Sequence, residues 1–318
     1  MKKHASLLVL IGAWLVLFAA FTFLIPSFRF ADPRNLETIA KQTVIVGFAA
    51  IGMTFVIIRG AIDLSVGSVI AFVTVVIAYM LQIAHVDGVT AMVVGILAGG
   101  ICGLLNGLIV TQFKVSPFIA TLGTMSIVRG MAKWLGKEQK IDVDHMPPWQ
   151  ENILARLPAD KRWMVFPPGV WLLVFFAVAA AWFLKGSVFG RNVIASGSNE
   201  DAAYLAGLNV RRDLIMVFLL GGLFTGIAGL MMFSRLTVGD PTVAVGLELD
   251  VIAAVVIGGA SLSGGQGSIA GSLIGALIMN TIKSGANQLG LPNFVQEVAT
   301  GIIIITAVTI DRLRAAKA

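Results

Sequence analysis

Apolar runs of about twenty residues, the length that crosses a bilayer core, recur along the whole chain with short polar links between them. The first, Ala5–Ile25, follows Lys2, Lys3 and His4. It is too long for the apolar core of a signal peptide and lacks a small-residue cleavage site, so it reads as a retained helix. A polar link over 27–37, bracketed by Pro26 and holding Pro33, leads to a second helix over 39–58. A third follows the break at RGAIDLSVGS, Arg59–Ser68, and reaches Ala84. The fourth covers 91–111, the fifth runs from Pro117 to Leu135, the sixth ends near Leu184, and the seventh covers 214–233. An eighth, opened by Glu248 and Asp250, stops at Ala260 and is short for a straight crossing. The ninth starts at Gly267 and ends near Asn280 and Lys283; the tenth covers 294–310 and carries Gln296 and Glu297 near its start. The pattern predicts an all-α polytopic membrane protein of about ten helices. Both termini then lie on the same side as the polar stretch between the sixth and seventh.

Glycine and polar residues add detail. Gly95, Gly99, Gly103 and Gly107 stand four apart and form one face on which a second helix can approach closely, with Asn106 beside them. Gly267, Gly271 and Gly275 repeat the spacing, and Asn280 and Pro292 echo Asn106 and Pro117. The echo predicts two inverted pseudo-halves, about 1–184 and 213–318, joined by 185–212 within one transmembrane domain. Each half carries an interrupted segment, Arg59–Ser68 and Glu248–Ser268. In the first, Gly60 and Gly67 permit an irregular backbone around Asp63 and Ser65. Paired interruptions in inverted halves point to a translocation pathway between them, with Asp63, Ser65, Asn106 and Asn280 as candidate hydrogen-bonding residues. The bland alternative is two loops that happen to hold glycines.

The polar stretch itself is GSNEDAAYLAGLNV, Gly197–Val210. Ser198 or Asn199 can cap a short helix, Ser198 with Asp201 matches a capping box, and Gly207 can stop it in a left-handed conformation. Glu200 and Asp201 place negative charge in its first turn. Ala202, Ala203 and Ala206 give it a small-sided surface. On spacing alone it reads equally as a docking helix or as a connector.

Composition excludes most other classes. Of 318 residues 57% are hydrophobic and 13% charged, against about 25% charged in a soluble domain; mean hydropathy is +0.91. The net charge of +6 is spread over many links without a basic stripe, so nucleic acid is not a partner. Lys and Arg divide eleven to twelve between the two sides; Lys2 and Lys3, against Arg29 and Arg34 offset by Asp32, favour termini inside. Cys102 is alone, and His4, His85 and His145 have no metal-ligand spacing, so neither metal nor cofactor is expected. The longest polar stretch, 136–166, holds five basic and five acidic residues and no motif. Leu262–Gln266 spells LSGGQ, a nucleotide-contacting signature of ABC ATPases, yet no phosphate-binding loop accompanies it. A tight glycine turn between helices is the expected structure there.

GAIDLSVGS, the run NGLIVTQFKVSPFIATLGTM from Asn106, GSNEDAAYLAGLNV and GGASLSGGQGSIAG together resemble the ribose-type family of sugar ABC importer permeases, over nearly the whole chain and in order. The resemblance implies a fold similar to the vitamin B12 importer permease and a location in the bacterial inner membrane. It implies a cytoplasmic ATPase subunit, which uses the ATP, an extracytoplasmic sugar-binding protein, and a second permease copy or a paralogue. By position it assigns Gly197, Asn199, Glu200, Ala203, Ala206 and Gly207 to ATPase coupling, which favours the docking helix. It places Asp63, Ser65 and Gly67 in the first-half motif and Gly264, Gly265 and Gly267 in the second. Where the family has Gly-Ile-Asp, this chain has Gly60-Ala61-Ile62-Asp63, one residue more. Two rivals differ in class. An ion-coupled carrier or facilitator would use Asp63, Glu248 or Glu297, and a lipid-modifying membrane enzyme would need clustered acids or histidines that the chain lacks.

Overall fold

A computed structural model describes residues 2–155 and 164–315, and the apolar runs form its helices. In chain order these are α1 (Lys2–Leu24), α2 (Pro33–Ile58), α3 (Val66–Gln82), α4 (Gly88–Gln112), α5 (Pro117–Leu135), α6 (Pro148–Glu151) and α7 (Pro168–Gly186). Then come α8 (Val188–Ser198), α9 (Glu200–Leu205), α10 (Val210–Leu236), α11 (Leu247–Ile257), α12 (Ile269–Gln288) and α13 (Asn293–Ala315). A 3-10 turn, Pro26–Ala31, joins α1 to α2, and two short strands, β1 (Ile141–Asp142) and β2 (Val238–Gly239), pair antiparallel with Ile141 opposite Gly239. Residues 156–163 of the long polar stretch and the last three of the basic tail lie outside the described residues. Among the described residues six helices are long and apolar enough to cross a membrane: Leu7–Leu24 of α1, and α2, α4, α7, α10 and α12. α3, with 17 residues, and α11, with 11, are too short to do so alone.

The bundle is built around α2. Every residue from Thr43 to Ile58 is buried, as expected of a helix that is apolar on all sides. α10, α11, α12 and α7 surround it. α4 packs on α10 through the predicted glycine face. A Cβ on Gly99 would stand 2.7 Å from the Gly222 carbonyl oxygen, and one on Gly103 2.8 Å from the Gly222 Cα. The two backbones are in contact, which only glycine allows. The second stripe also packs closely, with Gly271 and Gly275 against Gly258 and Ala254 of α11. The first stripe thus packs on α10 and, through Gly95, on α3; the second packs on the end of α11 and, through Gly267, on Ile58 of α2.

The helices α3 and α11 are each preceded by non-helical chain, 59–65 and 237–246, in which Asp63 and Asp240 are buried while Thr242 and Val245 are exposed. Gly67, in the first turn of α3, lies against the Ala244 carbonyl oxygen and the Glu248 carboxylate, so the starts of the two short helices meet. This corrects the expected position of the second interruption. The irregular segment that matches Arg59–Ser68 lies before α11, not after it, and 258–268 is the turn into α12. The match extends to the side chains. Asp63 Oδ1 accepts from Ser65 N at 2.8 Å and Ser65 Oγ at 2.6 Å; Asp240 Oδ1 accepts from Thr242 N at 2.8 Å and Thr242 Oγ1 at 2.6 Å. The repeated unit is thus Asp-x-hydroxyl before a short helix.

Neighbouring helices bond further backbone groups of both segments. Leu64 N donates to Thr121 Oγ1 of α5 at 3.1 Å, and Asp240 N to Thr74 Oγ1 of α3 at 3.2 Å. Arg129 of α5 donates to the carbonyls of Pro241 at 2.9 Å and Val243 at 2.7 Å.

Replacing Gly103 with valine is expected to destabilise the protein by about 1–3 kcal/mol through overpacking, read as a lowered thermal midpoint in detergent. Gly123→Ala on α5, where a Cβ meets nothing within 4 Å, should leave that midpoint unchanged. Asp63→Ala should cost about 1–3 kcal/mol for each buried donor left unpaired, and Asp240→Ala less, because its Thr242 donors can turn to solvent. Equal stability of wild type and both variants would refute the paired-turn account.

Candidate functional site

At one end of the bundle, three of the predicted motifs converge. α2 ends at Ile58 and the chain leaves through Gly60 (φ 84°), with Gly60 N donating to the Ile57 carbonyl at 2.9 Å and Ala61 N to Val56 at 3.0 Å. That pair of bonds is the left-handed glycine stop of a helix. The Ile58 carbonyl, left free by helix geometry, accepts from Gly265 N at 2.7 Å. Gly264 (φ 87°) and Gly265 (φ 73°) form the turn predicted for LSGGQ, packed against Gly197 and Ser198 of α8. A Cβ on Gly197 would collide with the Ile58 carbonyl and stand 2.9 Å from Gly265 N. Gly267 packs on the Ile58 side chain, 2.7 Å from a built Cβ.

The polar stretch 197–210 contributes the end of α8, all of α9 and the first residue of α10. Asn199 is the cap of α9, its side chain accepting from Ala202 N at 2.9 Å. Ser198 does not share that role. It is the last residue of α8, and its hydroxyl donates to the Ile194 carbonyl at 2.9 Å, so the expected Ser198–Asp201 box does not form. Gly207 (φ 84°) stops α9 as predicted, with Leu208 N donating to Ala203 O at 3.0 Å and Gly207 N to Tyr204 O at 2.9 Å. Ala203 is buried against the body, while Ala206 is exposed. The outward face of α9 carries Tyr204 and Leu205, 68% and 85% exposed. Tyr204 and Leu205 thus stand side by side and exposed at the tip of the capped helix. The alanine pattern concealed this, because which side faced outward depended on where α8 ended.

Arg59 holds this corner in place. Its side chain is 4% exposed and pairs with Glu200 of α9 at 3.2 Å, whose own side chain is 58% exposed. The guanidinium also donates to the carbonyls of Ser196 on α8 at 3.5 Å and Val210 on α10 at 3.3 Å. One side chain thus links four helices, as the fork geometry of arginine allows. Arg59 opens the RGAIDLS motif, and its cost in an apolar environment was the only signal of this role in the sequence.

Asp63, Ser65 and Asn106 come together. All three are buried, and Asn106 Nδ2 donates to Ser65 Oγ at 3.0 Å. Asn280 stands apart, donating to the Ala276 carbonyl at 2.8 Å. It lines a cavity of about 180 Å³ with Gln42, Arg235, Asp250, Lys283 and Gln296. There Lys283 and Asp250 form an ion pair. The four polar residues predicted for one path therefore occupy two places.

Comparison with known proteins bears on all of these motifs. Residues 35–308 match a family described as branched-chain amino acid transport system / permease component. The L-arabinose ABC transporter permease protein AraH of Azospirillum brasilense is 37% identical over 96% of this chain and 87% of its own length. The ribose import permease protein RbsC of Bacillus subtilis is 39% identical over 90% of this chain and 87% of its own. The protein of the same name from Escherichia coli K12 is 37% identical over 94% and 91%. No solved structure gives a significant match. The chain belongs to the branched-chain amino acid transport system / permease component family, among its ribose-type sugar ABC importer permeases.

Proposed function

We propose that the chain is the membrane-spanning subunit of an ATP-driven, binding-protein-dependent importer that moves a monosaccharide or related small polyol into the cytoplasm by alternating access. The observation that carries the reading is the capped, outward-facing apolar tip of α9, Tyr204 and Leu205, held to the bundle through Arg59 and Glu200. A short helix presenting apolar side chains beyond a polar corner suits a groove on a cytoplasmic ATPase subunit. Gly197, Asn199, Glu200, Ala203, Ala206 and Gly207 shape that helix rather than supply its contact surface. The long polar link 136–166, external in this reading, is the part of the chain offered to a sugar-loaded binding protein.

In this reading ten crossings, the long helices together with α3, α5, α11 and α13, form two inverted halves in the manner of the vitamin B12 importer permease, with both termini on the side of α9. The chain works as a transport subunit beside a second copy or a paralogue, and hydrolysis takes place in the partner ATPase. The meeting of the α3 and α11 starts at Gly67 supports a pathway between the halves, since rigid-body motion of one against the other would open and close it there.

Leu205→Glu should abolish docking without harm to the fold, because the side chain touches little of this chain. Burial of an unpaired charge in the ATPase groove should cut the co-purified ATPase by about tenfold or more. Undiminished recovery of the ATPase with Leu205→Glu would place the docking surface elsewhere. Transport by this chain alone in liposomes, without ATP, would favour a facilitator.

A further inference from the structure

The corner around Arg59 contains more polar atoms than it satisfies. Arg59 Nε, Ser196 Oγ and Asp213 Oδ2 are all buried and none has a hydrogen-bond partner. Asp213, in the first turn of α10, is 6% exposed and lies within electrostatic reach of Arg59. A buried arginine with a free N–H, paired to an exposed carboxylate, thus sits near a buried carboxylate that has a free oxygen. Buried unpaired groups of this kind are costly and each calls for an explanation, a second arrangement that uses it being one.

We propose that Arg59 is the positioning residue that couples α9 to the transmembrane helices by exchanging one carboxylate for another. In the conformation described here the guanidinium holds Glu200 of α9. When the ATPase moves α9 outward and Glu200 with it, the guanidinium turns to Asp213 of α10. Because Arg59 caps α2 and begins the segment 59–65, that turn shifts the chain leading to Asp63, Ser65 and the start of α3. The exchange conserves charge, since one ion pair replaces another. This inference rests on the docking role proposed for α9 and adds to it the residue that transmits the motion.

The exchange makes opposite predictions for its two carboxylates. In the reconstituted importer, with ATPase and sugar-loaded binding protein, Glu200→Gln weakens the resting pair and should raise ATP hydrolysis in the absence of binding protein. Asp213→Asn removes the second partner and should lower the hydrolysis stimulated by loaded binding protein. Changes of about five- to a hundredfold are in range for coupling of this kind. Arg59→Lys, which keeps the charge and loses the fork, should reduce stimulation while the ATPase still co-purifies in wild-type amount. A clamp with a purely structural role would move both carboxylate variants in the same direction or not at all, and either result overturns the proposal. So does wild-type stimulation in Arg59→Lys, or loss of the bound ATPase from it. Should Asp213→Asn fail to fold, Glu200→Gln decides the matter in two backgrounds: it must raise unstimulated hydrolysis beside Arg59 and have no effect beside Lys. Retention of the ATPase by Leu205→Glu would refute the docking role itself. Its release, with the two carboxylate variants moving together, would refute only the exchange.

Discussion

A peptide group placed in an apolar layer must find its hydrogen bonds within the protein, and the architecture follows from that requirement. Helices meet it internally. The two non-helical segments cannot, and each is surrounded by donors and acceptors from other helices. Thr121 serves 62–64, Thr74 serves Asp240, and Arg129 serves the carbonyls of Pro241 and Val243. Asp63 and Asp240 close the turns that lead into α3 and α11.

The same requirement gives the corner at the end of α2 its character. A helix ends with free carbonyls, and here the Ile58 carbonyl is met by a glycine turn from the other half of the chain. Gly197, Gly264 and Gly265 are small because three backbones pass within contact of one another. Arg59 then ties in α8, α9 and α10. The surface helix is therefore fastened, through one side chain, to the end of the bundle's central helix.

Much of this was legible in the sequence. The long apolar runs gave the helices nearly to their ends, since lipid-length burial leaves an unambiguous pattern. The four-residue glycine spacing gave the α4 face, and Asn199 and Gly207 gave the limits of α9. The second interruption was misplaced because glycines mark irregular backbone only when the chain needs their conformations. Asp240–Gly246 has an Asp-hydroxyl turn, a proline and one left-handed glycine, Gly246, at its end, whereas the more conspicuous glycine cluster at 264–267 forms the turn that packs on α8 and the end of α2. Tyr204 and Leu205 were passed over for the alanines because the outward side of a six-residue helix depends on the preceding helix's end. Asn280 was grouped with Asn106 by an echo in spacing that the packing does not share.

The origins of the partners bear on how such a chain is made. Leu64 waits for Thr121, 57 residues later in the chain, whereas Asp240 meets Thr74, 166 residues earlier. As the protein emerges from the ribosome, its first irregular segment has no home until α5 arrives, while its second enters a groove already assembled. Completion of the first segment therefore requires synthesis to reach α5, whereas the partners Thr74 and Arg129 of the second are made before it.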